Sequence, residues 1–118
     1  MKIIRLEELE GKSLTQYDSK MVMRKILMTE QPVHVGIVDL EIGGVIGFHE
    51  ATVPQVLVVI EGEGIVRTGM DDGERVEAGE AVFWQKGEWH ETATKYGMRG
   101  IIIESEGLNL SSLIGNIK

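Results

Sequence analysis

Two histidines and a glutamine are the residues of this 118-residue chain whose types and spacing suit them for chemistry. His49 lies in the stretch "GFHEATVPQ", and Gln55 opens the strand-like run that follows. Side chains in a β-barrel alternate between inside and outside, so Ala51 and Gln55 share the face of His49 if the alternation survives the turn. His90 begins a later strand and can lie opposite His49. Two imidazoles and a side-chain oxygen converging inside a barrel can hold a divalent metal ion.

Short strands joined by glycine-rich turns are the elements that must position these side chains. The chain has fifteen glycines, and its apolar runs, such as "VHVGIVDL", "QVLVVI" and "MRGIIIES", are separated by segments such as "EIGG", "EGEG" and "KGE". We expect about nine strands with turns every eight to twelve residues or so, which is typical of a sandwich or small barrel. The predicted fold is one all-β domain over residues 1–118.

Separate predictions apply to three segments near the ends of the chain. "KIIRL" is predicted as an edge strand, and "EELEGKSLTQYDSK" is predicted as an acidic loop. The tail "GLNLSSLIGNIK" fits a final strand, a short helix or a packing arm, and its sequence does not decide among them.

Composition excludes several classes of partner. The net charge of -7 argues against nucleic acid and against an anionic membrane surface, because both require clustered basic residues. No apolar run approaches the roughly 18 residues of a membrane span, and the first residues lack the apolar core of a secretory signal. The chain has no cysteine, so it has neither disulfide nor thiolate chemistry. We expect a cytoplasmic protein that binds neither nucleic acid nor membranes.

The spacing around His49 resembles the first motif of the cupin family. That motif runs glycine, five residues, His-x-His, three or four residues, glutamate, six residues and glycine. Residues 43–62 keep this spacing, with Gly43, His49 and Gly62 in place. Ala51 stands where the second histidine belongs, and Gln55 stands where the glutamate belongs.

The spacing around His90 resembles the second cupin motif, which runs glycine, five residues, Pro-x-Gly, two residues, histidine, three residues and asparagine. Residues 79–94 contain Gly79, Gly87 and His90 at these positions, with Gln85 for the proline and Thr94 for the asparagine. The resemblance implies an antiparallel jelly-roll barrel, also called a double-stranded β-helix. It also implies a homodimer, because small cupins commonly pair through their N-terminal strands.

The resemblance implies a metal site of reduced donor strength. In metal-bearing cupins the motif histidines and glutamate coordinate the ion, so His49, Gln55 and His90 are the predicted metal ligands here, while Ala51 can ligate nothing. Such a set suits Zn, Ni, Mn or Fe, and its imidazoles favour Zn, Ni or Cu over Mg or Ca. The ligand set has no carboxylate, whose negative charge balances the positive charge of iron in oxygenases with two histidine ligands.

Two acidic residues are candidates to supply the missing negative charge. Glu50 is adjacent to His49, but strand alternation is expected to point it away unless a bulge intervenes. Glu88 lies two residues before His90 and is the better candidate for a substitute carboxylate.

Two functions of different class follow. The first is a cupin that binds a small molecule in the barrel interior beside a degenerate metal site. The second is a metal-dependent isomerase, lyase or dioxygenase that uses the same three ligands. Three aromatic residues lie near the histidines in the sequence: Phe48, Trp84 and Trp89. They are expected to belong to the core, to a dimer face or to the apolar wall of a pocket.

Overall fold

Ten strands account for most of the structure, a computed structural model that describes residues 1–115 and 117. The strands are β1 (Lys2–Arg5), β2 (Gly11–Leu14), β3 (Met21–Arg24), β4 (His34–Leu40), β5 (Val45–Glu50), β6 (Gln55–Thr68), β7 (Glu74–Glu77), β8 (Glu80–Trp84), β9 (Trp89–Ala93) and β10 (Met98–Glu104). A short helix, α1, covers Leu110–Gly115, and single 3₁₀ turns cover Leu6–Glu8 and Gln16–Asp18. No helix in the described part of the chain has the length and apolar character needed to cross a membrane.

Antiparallel pairing arranges eight of the strands into two walls. One wall has the order β1-β8-β6-β10-β4, and in the other β9 pairs with β5 and β6 while β7 pairs with β6. Strands β2 and β3 form a separate hairpin. This arrangement confirms the all-β, antiparallel jelly-roll prediction, with β1 at an edge as predicted.

Strand β6 belongs to both walls because it bends at Gly62. Its first half pairs with β8 and β10, and its second half pairs with β7 and β9. Gly62 has φ = 78°, and a Cβ atom there would collide with the carbonyl oxygen of Gly97. The predicted turn at "EGEG" is therefore wrong: the positive φ bends a continuous strand rather than ending it.

Two apolar layers lie on the two faces of the first wall. The inner cluster fills the barrel and consists of Ala51, Leu57, Val59, Val66, Val76, Val82, Trp84 and Met98. The outer cluster consists of Ile4, Leu9, Val56, Val58, Ala81, Phe83, Leu108 and Leu113. Because both faces are covered, the central run of β6 is apolar at every position instead of alternating.

The segments that cover the outer face differ from two sequence expectations. The stretch predicted as an acidic loop contains the end of the first 3₁₀ turn, β2 and the whole second 3₁₀ turn, and Leu9 within it is buried in the outer cluster. The tail forms α1, whose Leu113 packs into the same cluster. Residues 116 and 118 of the tail lie outside the described residues.

Candidate functional site

A cross-strand row of polar side chains lies at one end of the first wall. Gln55 on β6 is directly opposite Trp84 on β8 and Glu104 on β10, and Glu104 is opposite His34 on β4. Residues directly opposite each other in antiparallel strands project to the same face. The register alone therefore places these four side chains on one face, at one level of the sheet.

The two motif histidines face this row from the second wall. His49 on β5 is directly opposite His90 on β9, and their ring centroids are 4.4 Å apart. The register shifts between Ile46 and His49, so two residues of β5, Gly47 and Phe48, oppose one residue of β9, Glu91. This extra residue is a β-bulge, and it turns both Ile46 and His49 toward the interior although they are three positions apart.

A cavity of about 210 Å³ lies between the two walls. The residues that line it are Ile46, His49, Glu50, Thr52, Gln55, Leu57, Trp84, His90, Thr92, Ile102 and Glu104. His49, Gln55 and His90, the three residues predicted from the motifs, thus come together in one site. Gln55 is 7% exposed and His90 is 2% exposed, whereas His49 lies on the exposed rim.

Backbone contacts determine which ring nitrogen of each histidine carries the proton. The Nδ1 atom of His49 is 2.6 Å from the carbonyl oxygen of Gly47, and that of His90 is 3.1 Å from the carbonyl oxygen of Glu88. A carbonyl oxygen can only accept, so Nδ1–H is the donor in both rings. Nε2 then carries the lone pair of each neutral imidazole and is the atom available to a ligand.

The environment of His90 favours its neutral form. Burial is the largest effect on the pKa of His90 and lowers it. The hydrogen bond to the Glu88 carbonyl opposes burial, the nearby His49 lowers the pKa further, and the charges of Glu88 and Glu104 raise it, so that the net direction is downward. The ring stacks on Trp84, with centroids 4.3 Å apart and planes 22° apart. The Nε1 atom of Trp84 is buried and has no hydrogen-bond partner among the described residues.

The carboxylates of the cavity are not those expected from the sequence. Glu88, proposed as the substitute carboxylate, does not line the cavity: its carboxylate accepts a 2.8 Å hydrogen bond from the Gln85 N–H and pairs with the Met1 ammonium at 2.7 Å. Glu50 is among the residues that line the cavity, but it is directly opposite Trp89 on the outer surface, so the register gives its side chain the outward direction expected from strand alternation. Glu104 was missed, because its position is set by pairing across three strands.

The aromatic residues and Ala51 have separate places. Trp84 lines the cavity, whereas Phe48 and Trp89 pair with each other at 5.5 Å on the half-exposed outer surface. The pocket-wall interpretation therefore applies to Trp84 alone. Ala51 is 0% exposed and packs in the inner apolar cluster rather than lining the cavity.

The donors at the cavity are a poor fit to a tightly bound metal ion. The described residues contain no group of three or more His, Cys, Asp or Glu side chains placed to hold one. The two imidazoles have the backbone hydrogen bonds that orient metal-binding histidines, but the third predicted ligand, Gln55, offers only a neutral amide oxygen. The assignment of His49, Gln55 and His90 as metal ligands stays a prediction.

Comparison with known proteins supports the fold rather than an activity. No known protein-family profile and no curated protein sequence matches the chain. Among solved structures, a cupin-2 domain containing protein from Shewanella frigidimarina is 26% identical over 70% of this chain and 78% of that protein, with a TM-score of 0.56. An RmlC-like cupin family protein from Methanocaldococcus jannaschii is 13% identical over 83% of this chain and 90% of its own, with a TM-score of 0.61.

An enzyme also occurs among these structural neighbours. The DMSP lyase DddQ from Ruegeria pomeroyi is 18% identical, with a TM-score of 0.60, over 68% of this chain and only 41% of the lyase. At this identity the likeness extends to the fold alone. Together with the strand order and register, these likenesses show that the chain has the double-stranded β-helix fold of the cupin superfamily, as its two motifs predicted.

Proposed function

We propose that this protein binds a small organic molecule in the cavity between its two walls, with His49, Gln55 and His90 as hydrogen-bonding groups. The cavity itself carries the proposal. Its volume of about 210 Å³ exceeds the roughly 150 Å³ that suffices for benzene in an engineered apolar cavity. It is smaller than the usual drug-sized pocket, so the ligand is a compact molecule.

The walls combine apolar contact with a few polar groups, which is the usual composition of a ligand site. Ile46, Leu57 and Ile102 provide apolar surface, and the aromatic ring of Trp84 provides a flat side. The two Nε2 lone pairs and the amide of Gln55 provide directional hydrogen bonds, which fix the orientation of the ligand. This combination supports binding of an organic molecule without requiring a metal.

The second candidate is a metal-dependent enzyme, which the enzyme among the structural neighbours and the two oriented imidazoles favour. A bound ion would supply Lewis-acid chemistry there. The donor set argues against it, because the carboxylate and the second motif histidine are absent from the positions where the motif requires them. Catalysis is therefore not part of the proposed function.

Filling the cavity tests the proposal. Ile46 lines the cavity and its neighbour Val45 lies on the outer face, more than half exposed. Binding of a fragment library to protein stripped with EDTA is measured by amide chemical-shift changes in NMR spectra. We expect fragments whose shifts centre on the cavity, loss of their binding in Ile46→Trp, and unchanged binding in Val45→Trp.

Two results would contradict the proposal. The first is the absence of any cavity-binding fragment, and the second is equal binding by both tryptophan variants. A metal series in the same samples separates the second candidate. A rise in melting temperature with Zn or Ni that disappears in His90→Ala would favour the metal-dependent enzyme, since only a native-state site raises the melting temperature by mass action.

A further inference from the structure

The cavity carries negative charge that its own lining does not balance. Glu50 and Glu104 both line it, and among the described lining residues there is neither lysine nor arginine. His34 lies beside Glu104, with its Nδ1 3.7 Å from a carboxylate oxygen and its side chain largely exposed. The carboxylate of Glu104 in a partly enclosed site disfavours an anionic ligand.

The two imidazoles of the cavity present acceptors to a ligand. The Nδ1–H groups of His49 and His90 are engaged with backbone carbonyls, so each ring presents a lone pair at Nε2. Glu104 presents carboxylate oxygens in the same site, at the level of Gln55 in the sheet. A primary ammonium has three donors and no acceptor, and it therefore matches both the charge and the hydrogen-bonding capacity of these walls.

A second, apolar space adjoins the cavity. It has a volume of about 510 Å³ and shares Thr52 and Glu104 with the cavity as wall residues. Its other walls include Pro32, Val33 and Val53. A molecule with its charged end near Glu104 has this groove next to it for an apolar chain.

We propose, on the basis of the binding function above, that the ligand is a small organic cation of the primary-amine type, with its ammonium held between Glu104 and the two imidazole Nε2 atoms and its hydrocarbon part directed to the apolar groove. Glu104 determines this specificity. The carboxylate selects the charge of the ligand, and the imidazoles accept the remaining hydrogen bonds.

Three probes of equal chain length test the inference: n-hexylamine, hexan-1-ol and hexanoate. Binding is measured by calorimetry near pH 8, where the amine is protonated and the acid is ionised, with EDTA present to remove metal ions. We expect hexylamine to bind about tenfold or more tighter than hexanol, since a charge-assisted hydrogen bond is worth more than a neutral one. Hexanoate should bind weakest.

Matched variants assign the preference to one residue. Glu104→Gln should remove the advantage of hexylamine over hexanol. Glu74→Gln makes the same change in net charge at an exposed position on β7 and should leave the advantage intact. In Ile46→Trp, hexylamine binding should be lost, which locates it in the cavity.

The outcomes separate this inference from the proposed function. If hexanol or hexanoate binds as tightly as hexylamine in the wild-type protein, or if Glu104→Gln keeps the preference, the amine specificity is overturned. If none of the three binds while a fragment from the screen does, the specificity is overturned and the binding function stands. If neither the probes nor the fragments bind, both proposals fail.

Discussion

Among the individual residues of the cavity, His90 has a buried imidazole that forms no ion pair with the described residues. His90 stacks on Trp84 and donates from Nδ1 to a backbone carbonyl, so its neutral form is satisfied. Burial lowers its pKa because the charged form loses hydration. The folded protein therefore resists protonation of this ring in a range where the unfolded chain accepts the proton.

This difference predicts a loss of stability in mild acid. As the pH falls below about 6.5, the imidazole of the unfolded chain takes up a proton before that of the folded chain, so the free energy of unfolding decreases until the lowered pKa of folded His90 is passed. Thermal melts between about pH 7.5 and 5.5 should show a smaller drop for His90→Gln than for the wild type. Equal pH dependence of His90→Gln and the wild type would rule out this role.

At position 51, alanine stands where the motif has its second histidine, and its side chain contributes to apolar packing instead of offering a metal ligand. Its side chain is fully buried in the inner apolar cluster. Ala51→His should destabilise the protein by roughly 1–3 kcal/mol, because the larger polar ring overpacks this cluster. Urea denaturation checks the value, with Thr52→His, at the exposed neighbouring position, as the control. A stable Ala51→His protein that gains Zn or Ni binding would show instead that the site is still shaped for the motif ligand.

Among the strands, β5 and β6 bring the site together through irregularities. The bulge in β5 directs Ile46 and His49 into the cavity. The bend in β6 lets one strand carry Gln55 in the first wall and pair with the His90 strand in the second. Regular strands of the same sequence would place the two histidines and the glutamine in different surroundings.

The bend predicts a large effect of a small side chain at Gly62. Gly62→Ala combines an unfavourable positive φ with a collision against the carbonyl of Gly97, and we expect a loss of more than about 2 kcal/mol. Gly43 has nearly the same φ, 77°, but a Cβ atom there would meet no other atom within 4 Å. Gly43→Ala should therefore lose only the backbone part, about 1–2 kcal/mol. Equal losses in urea denaturation would mean that the close approach at Gly62 does not matter.

Across the molecule as a whole, apolar side chains remain uncovered along one edge. Strand β4 pairs only with β10 among the described strands, and its Val35 and Ile37 are 60% and 68% exposed. The hairpin of β2 and β3 adds exposed Met21, Val22 and Met23. By contrast, the "KIIRL" strand keeps Ile4 in the outer cluster. The homodimer expected from the family resemblance thus has β4 and the hairpin as candidate surfaces.

This surface predicts the oligomeric state. Sedimentation should give about twice the chain mass of 13.1 kDa for the wild type, because exposed apolar patches mark interaction sites. The double variant Val35→Lys with Ile37→Lys should sediment as a monomer, since two charges cannot be buried unpaired. Ile42→Lys, at an exposed turn position, should leave the dimer intact. A monomeric wild-type protein would contradict the expectation.

The fold class, most of the strand runs and three of the cavity residues follow from the amino-acid sequence without any knowledge of contacts. Glycine spacing and apolar runs are local features of the sequence, so they predict strands without knowledge of contacts. The spacings of both motifs match those of cupins, and this resemblance assigns His49, Gln55 and His90 to one site. The carboxylates that join them depend on the three-dimensional arrangement instead. Glu104 enters through pairing between strands far apart in the chain, His49 is turned inward by a bulge, and Glu88 is withdrawn by its own hydrogen bonds. Register and bulges depend on packing across the whole barrel, which no local pattern encodes.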